Sequence, residues 1–242
     1  MLSSLISFFF YKRKRDADQK QKETYLNLQA AENEMKALRP QMNPHFIFNT
    51  LGSIQSFLLN NQPADADKYL LKFEELIRLV LENSRQQQVA LAEDIKALEL
   101  YMQLENIRLN NPFSYNFQID KEINVEQTEI PALILQPFIE NAIWHGLQPK
   151  EDAGGSINIS ISEQNNNLIC VVEDNGVGRS SEKHRTGFSF KKESLGIKLT
   201  EDRLKIMNAI KKANAYFKIT DLFTPDNKPC GTRVKLVLPY ST

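Results

Sequence analysis

The chain has 242 residues, 41% of them apolar, which is enough for one large core or two modest ones. Thirty basic and thirty acidic side chains cancel to a formal charge of zero, so neither the basic excess of a nucleic-acid binder nor the acidic excess that draws cationic substrates is present. Three histidines and two distant cysteines, Cys170 and Cys230, in no metal-ligand spacing argue against a dedicated zinc site. Cys170 stands in the apolar run 168–172 and reads as a reduced core thiol.

Residues 2–11 are apolar apart from three serines, and Lys12-Arg13-Lys14-Arg15 follows. Ten residues are too few to span a hydrocarbon layer as a helix, which takes roughly twenty. A cleaved signal peptide would carry its basic residues first. Apolar-then-basic order fits the cytoplasmic end of a transmembrane helix or a short anchor, and a disordered amphipathic start is the alternative. Residues 16–38 lack Gly and Pro and are rich in Gln, Glu, Lys and Ala, which predicts a helix. Leu28, Ala31, Met35 and Leu38 give it a short heptad-like seam, suited to a parallel dimer or to nothing more than a solvated linker. Arg39-Pro40 interrupts it.

A second helix is expected from about Pro44, where proline is tolerated in a first turn. Ile47, Leu51, Ile54 and Leu58 form an apolar seam, while His45, Asn49, Gly52 and Ser56 share another face of small and polar residues. That face suits an imidazole reached from outside, or one that merely caps or solvates a bundle helix. Asn60-Asn61-Gln62-Pro63 reads as a turn. The helix after it, 64–83, repeats the seam with Tyr69, Phe73, Leu76 and Val80, so the two make an antiparallel hairpin. A lone hairpin leaves one side of each seam uncovered, and pairing with a second copy into a four-helix bundle would cover it.

Gln86-Gln87-Gln88 is a polar joint and a candidate domain boundary. A helix over 91–110 and a strand over 113–119 follow, separated by Asn110-Asn111-Pro112. Between Ile130 and Gly146 runs an apolar helix whose strongly polar residues after Gln136 are Glu140, Asn141 and His145. Buried polar groups need partners, so these point either to a ligand or metal or to a helix-end capping network. Strands over 156–162 and 168–173 lead to Asp174-Asn175-Gly176-Val177-Gly178. A carboxylate at a strand end followed by glycines suits recognition of a flat polar base, although hairpin turns use the same letters. Residues 179–192 hold Arg179, Lys183, Arg185, Lys191 and Lys192 and read as a solvated loop or a basic lid. Gly196 opens a helix running to about Ala213, a terminus able to face phosphate. Strands over 215–220 and 231–238 close the chain.

In this order the stretches resemble sensor histidine kinases of the LytS-like family. Asn43-Pro44-His45-Phe46-Ile47-Phe48-Asn49 is similar to that family's phosphoacceptor box, usually Asn-Pro-His-Phe-Leu-Phe-Asn. The segment 130–146 resembles the Asn box of the GHKL ATP-binding fold, and 174–178 its Asp-x-Gly-x-Gly box. Ser194-Leu195-Gly196 looks like a one-glycine form of the second glycine box, with Ser194 where other members have glycine. Gly231-Thr232 resembles the Gly-Thr before the last strand.

The resemblance implies an α+β architecture: a helical dimerisation hairpin over 40–86 and a GHKL (Bergerat) α/β sandwich over 87–242. Ahead of them lie an apolar stub (1–15) and a linker helix (16–39). It implies a protein-histidine kinase that uses ATP and Mg²⁺. His45 would be the phosphoacceptor, and Asn49 would orient its ring, since Phe46 occupies the position where most other histidine kinases have an acid. Asn141 would bind magnesium. Glu140 and His145 would line the cleft, the family often having Lys at the latter position. Asp174 would accept the adenine amino group, Gly176 and Gly178 would shape the pocket, and Gly196 and Thr232 complete the carry-over. Implied partners are a response regulator, often a DNA-binding one in this family, a second copy of the chain, and a membrane reached through the N-terminus. Direct nucleic-acid binding is not expected, and the place implied is the cytoplasmic face of the inner or plasma membrane. A GHKL-fold serine/threonine kinase and a degenerate nucleotide-binding scaffold are the rival readings.

Overall fold

The computed structural model describes residues 11–15, 44–109, 112–150, 154–179 and 195–240, the side chains at 44, 45 and 195 excepted. The linker helix expected over 16–38, the basic lid beyond Arg179 and Ser194 lie outside these. The chain divides into two compact units, 1–40 and 41–242. In the first, residues 11–15 are helical and exposed.

The second unit opens with α1 (Pro44–Leu59) and α2 (Pro63–Ser84). Asn61 adopts φ 56° in the turn between them. The Gln62 N–H bonds to the Phe57 carbonyl (2.8 Å), and Pro63 opens α2 without leaving a donor unpaired. The expected seam of α2 is inward: Tyr69, Leu76 and Val80 are buried. On α1 the seam is rotated by one position. Phe46 and Thr50 are buried, with Ile54 and Phe57 packed against the core, whereas Leu51 and Leu58 are 52% and 56% exposed. Aromatic contacts set this rotation. Phe57 meets Tyr69 (5.8 Å between centroids), and Phe46 meets both Phe73 (6.1 Å) and Tyr101 (5.0 Å). A ring buries more area than the Leu or Ile beside it, so the rings take the inner face.

The stretch after α2, expected as a polar joint, leads directly into β1 (Gln88–Ala90), which pairs antiparallel with β3 (Glu129–Pro131). Helix α3 (Leu91–Arg108) follows at once. Its first N–H groups are satisfied by the loop 121–128, Leu91 bonding to the Thr128 carbonyl and Ala92 to that of Val125. At its far end the Asn106 carboxamide bonds both the N–H and the carbonyl of Phe113 (2.7 Å each), turning the chain into β2 (Ser114–Ile119). The same device recurs between Asn208 and Ala215, after α5 (Leu195–Lys211) and before β6 (Tyr216–Phe223).

The remaining elements are α4 (Gln136–Asn141) with a π-helical continuation over Ala142–Leu147, β4 (Ser156–Gln164), β5 (Asn167–Asp174) and β7 (Pro229–Pro239). The main sheet runs β2-β4-β5-β7-β6, parallel between β2 and β4 and antiparallel elsewhere. Strict alternation puts Ile157, Ile159 and Ile161 on one face with Leu168, Cys170, Val172, Val234, Leu236 and Leu238, all buried. Residues of α3, α4 and α5 belong to the same hydrophobic core, which makes the expected α/β sandwich, with helices on one face of a mixed sheet.

One polar device holds the α3 and α5 sides together. Leu133 sits at φ 57° just before α4. Its N–H bonds to Asp94 Oδ1 (2.7 Å), and Arg203 of α5 donates to the neighbouring Ala132 carbonyl (2.7 Å). Burial pushes the Asp94 carboxyl up to about 7, against the opposing pull of the Leu133 N–H and the Arg203 charge. A raised carboxyl binds its proton more tightly in the folded state. The stability it contributes is therefore present below about pH 4 and is lost as pH rises towards 7. Asp94→Asn keeps an acceptor for Leu133 and removes the titration. Urea unfolding from pH 4 to pH 8 should move the stability difference in the variant's favour by on the order of a few kcal/mol. A difference that stays flat across that range would show that Asp94 does not titrate there.

Candidate functional site

The π turn is where the expected site residues gather. A π bulge widens a helix by one residue per turn and is frequent at functional sites. Here the Gln148 N–H reaches the Ile143 carbonyl (2.8 Å), which leaves Ile143, Gly146 and Leu147 buried and His145 exposed. Gly146 meets the end of β5. A Cβ on it would lie 2.7 Å from Asp174 Oδ1, and one on Gly176 would lie 2.3 Å from the Gly146 carbonyl carbon. The Val177 N–H also donates to the Gly146 carbonyl (3.0 Å). A side chain at 176 would run into the Gly146 backbone and one at 146 into the buried Asp174 carboxylate, so glycine suits both positions.

Asp174 is 5% exposed. Its Oδ1 accepts the Gly176 N–H (2.9 Å), and Thr232, its register partner on β7, bonds it through both side chain and backbone. Burial raises its pKa to about 6, with these hydrogen bonds opposing the rise. At neutral pH it is therefore an acceptor, held at the mouth of a strand end. Gly231 beside Thr232 adopts φ 140°, and a Cβ there would fall 1.9 Å from the Asp174 carbonyl oxygen. Gly178 adopts φ 71°, packed against Pro229. Arg179, expected among the free cations of the lid, is instead held by β6, its Nε 2.7 Å from Asp221 Oδ1 and its Nη2 3.0 Å from Oδ2.

Along α4, the Asn141 Nδ2 donates to the Pro137 carbonyl (2.7 Å), which fixes the orientation of the carboxamide. Glu140 accepts from Gln136 Nε2 (2.8 Å). Its pKa is pushed up to about 7 by burial, with the Gln136 bond opposing and the Glu105 charge reinforcing the rise. Gly196, in the first turn of α5, comes so close to Pro137 that a Cβ would lie 3.2 Å from the proline Cβ. Pro137 thus joins the Asn141 helix to the start of α5. Glu140, Asn141, His145, Asp174, Gly176, Gly178, Gly196 and Thr232 accordingly lie along two linked contacts, one at each end of the α4 segment. His45 falls in the first turn of α1. Asn49 is half-buried, and its carbonyl accepts the Ser53 hydroxyl (3.0 Å).

Sequence reasoning met Gly231 only through the family resemblance and Gly146 only as the end of a helix, although close approach demands both. It gave no role to Asp94, Tyr101 and Trp144, which position the α4 segment. Asp94 carried little signal, as one of several charged residues on α3. Gly146 carried only its neighbourhood.

Two family profiles match the chain, one described as histidine kinase over 33–113 and one as histidine kinase-, DNA gyrase B- and HSP90-like ATPase over 127–242. Together they cover most of its length. The sensor histidine kinase YpdA of Escherichia coli is 32% identical over 145 residues, 60% of this chain and 25% of that protein. The sensor protein LytS of Staphylococcus epidermidis is 27% identical over 210 residues, 86% of this chain and 34% of that one. The E. coli sensor histidine kinase BtsS is 30% identical over 211 residues, with the same shares. The chain spans a quarter to a third of the length of these relatives. A solved histidine kinase domain from Erythrobacter litoralis superposes at a TM-score of 0.44 with 16% identity, covering 88% of this chain and 95% of that one, too loosely to add to the argument.

A helical hairpin carrying a histidine box, joined to a sandwich with glycine-lined strand ends, defines the class: a histidine kinase with a gyrase B- and HSP90-like ATPase domain. Within that class the chain belongs to the LytS-like sensor kinases.

Two glycines separate backbone crowding from helix propensity. Gly176→Ala must displace the Gly146 backbone and should destabilise by about 1–3 kcal/mol or more. Gly52→Ala, in α1 with nothing within 4 Å of the added Cβ, should stabilise by about 0.5–1 kcal/mol. Chemical denaturation of both variants checks the pair, and a neutral Gly176→Ala would contradict the contact described.

Proposed function

We propose that this chain is the kinase portion of a two-component sensor that transfers phosphate from MgATP to His45 and then to an aspartate on a response regulator. The observation that carries the reading is the seat of Asp174. A buried acceptor, held by the Gly176 N–H and Thr232 and backed by the Gly146 backbone, suits an exocyclic amine on a flat base such as adenine. The start of α5 at Gly196, packed on Pro137, would turn its N–H groups and dipole towards the phosphates.

Asn141 would offer a carboxamide oxygen to Mg²⁺. This ion prefers hard oxygen donors and is held largely by substrate phosphates and water, so one side chain is enough. When bound, Mg²⁺ supplies neutralisation of the charge on the transferring phosphoryl group. Glu140 and His145 would line the same cleft. Attack requires an unprotonated ring nitrogen, which an imidazole offers near neutral pH, and Asn49, one turn on, would orient the ring. The protein's work is positioning and charge stabilisation, since the chemistry needs no covalent help beyond the acceptor itself. In this reading the division expected at 86–88 is a functional one, with the acceptor hairpin before it and the nucleotide-binding sandwich after it.

Phe48, Leu51, Leu58 and Leu59 on α1 and Leu70, Leu71 and Leu81 on α2 are exposed. This apolar surface supports a homodimer built by pairing two hairpins into a four-helix bundle. Among the described residues no helix is long and apolar enough to cross a membrane. Attachment through the N-terminal segment, at the cytoplasmic face, rests on the order of its apolar and basic residues. The regulator would be of the DNA-binding kind, as the family often uses.

Incubation with Mg²⁺ and γ-labelled ATP, beside a His45→Gln variant, tests the reading. Label that survives alkali, vanishes in acid and is absent from the variant is expected. Acid-stable label in the variant would instead indicate a serine/threonine kinase, and nucleotide binding without any label a scaffold. For the dimer, Leu51→Glu with Leu58→Glu should shift sedimentation from dimer to monomer; a monomeric parent chain would refute the pairing.

A further inference from the structure

Tyr101 lies in the middle of α3 and is 2% exposed, yet it touches both parts of the machinery described above. Its ring packs against Phe46, the residue after His45, with centroids 5.0 Å apart and planes inclined by 44°. Its hydroxyl accepts the indole N–H of Trp144 at 3.2 Å. Trp144 precedes His145 in the π turn and stands three residues beyond Asn141. The indole is gripped on its face as well, by the Arg108 guanidinium 4.4 Å from the ring centroid, and Arg108 in turn pairs with the buried Glu105 (2.5 Å). Burial, with Glu140 and Glu105 nearby, raises the Tyr101 phenol well above its ordinary range, so the hydroxyl stays protonated.

These contacts form one unbroken chain from the first turn of α1 to the π turn. Phe46 is buried and cannot move without moving the Tyr101 ring. Trp144 cannot turn without breaking its bond to the Tyr101 hydroxyl. A residue that only filled the core would need the ring and not the bond.

We propose that Tyr101 is a positioning residue for phosphotransfer, its ring holding the helix of His45 through Phe46 while its hydroxyl holds the nucleotide-site helix through Trp144. This rests on the kinase reading above. It adds that acceptor and nucleotide site are registered to each other by a single side chain that touches neither substrate.

The test uses the full chain and three variants: Tyr101→Phe, which keeps the ring and loses the acceptor, Trp144→Phe, which keeps a ring and loses the donor, and the double variant. If the bond registers the two parts, Tyr101→Phe lowers the rate of His45 labelling roughly tenfold or more while KM for ATP changes little, because alignment and not binding is lost. Trp144→Phe does the same, and the double variant is no slower than either single one. Equal labelling rates in wild type and Tyr101→Phe, or multiplicative losses in the double variant, would overturn the proposal.

A second readout does not depend on kinase activity. Trp144 is the chain's single tryptophan. Phe46→Leu should shift its emission in the otherwise unaltered chain, and that shift should disappear in a Tyr101→Phe background. If His45 takes no label but this dependence is seen, the link stands and the kinase reading fails. If the shift persists in the Tyr101→Phe background, the link fails whatever the labelling shows.

Discussion

Asp174 ends a largely buried strand with its carboxylate 2.9 Å from the Gly176 N–H and its Cα register partner at Thr232. The Gly146 backbone lies directly against it, and a side chain at 146 would run into that carboxylate and one at 176 into the Gly146 backbone. Much of the molecule can be read as the means of making that crossing. The sheet must deliver the end of β5 to one point, and the α4 segment must arrive at the same point with a glycine uppermost. The π turn supplies the extra residue that brings Gly146 there while its neighbour His145 stays exposed. A contact between two backbones has no rotamers with which to adjust, so the elements on either side are held to it closely.

The supports of the crossing are polar: a buried Asp94 and the half-buried Arg203, Asn106, Asn208 and Asn141. Asp94 and Arg203 hold the Leu133 turn before α4 from opposite sides. Asn106 and Asn208 close two helix-to-strand corners with the same pair of hydrogen bonds. Asn141 is tied to Pro137, which also abuts Gly196. Carboxyls in such surroundings are pushed towards neutrality, as at Asp94, Glu140 and Asp174. The site therefore combines acceptors that burial makes reluctant to ionise with hydrogen bonds that favour the ionised form, a balance found where binding groups are held ready.

The architecture was largely legible, because strand alternation and helix spacing are local properties. The isoleucines at 157, 159 and 161 declared their face without any partner in view, and so did Tyr69, Leu76 and Val80. The histidine box, the Asn box, the Asp-x-Gly-x-Gly box and the second glycine box, in that order, carried the family resemblance. The inner face of α1 was not legible. Ile47, Leu51, Ile54 and Leu58 satisfy the spacing of a seam as well as Phe46, Thr50 and Phe57 do. Which line turned inward depended on where Phe73, Tyr69 and Tyr101 stood on other helices. Arg179 likewise read as one of several loop cations until Asp221, forty-two positions away, proved to hold it.

By itself, then, the sequence determined the class of most elements, the order of the motifs and the residue types able to bind a base, a metal or phosphates. Each of these depends on neighbours a few residues apart, where covalent geometry sets distance and direction. It did not determine β1 or β3, where it offered a polar joint and the start of a helix at 130 that begins only at Gln136. Only the tertiary structure decided which glycines were indispensable, which helix face was buried and which side chain touches both the hairpin and the π turn. Those are properties of approach between segments far apart in the chain. A backbone contact at Gly146, or a hydroxyl shared between Phe46's neighbour and Trp144, has no periodicity to betray it, because its cause lies in the packing of the whole core.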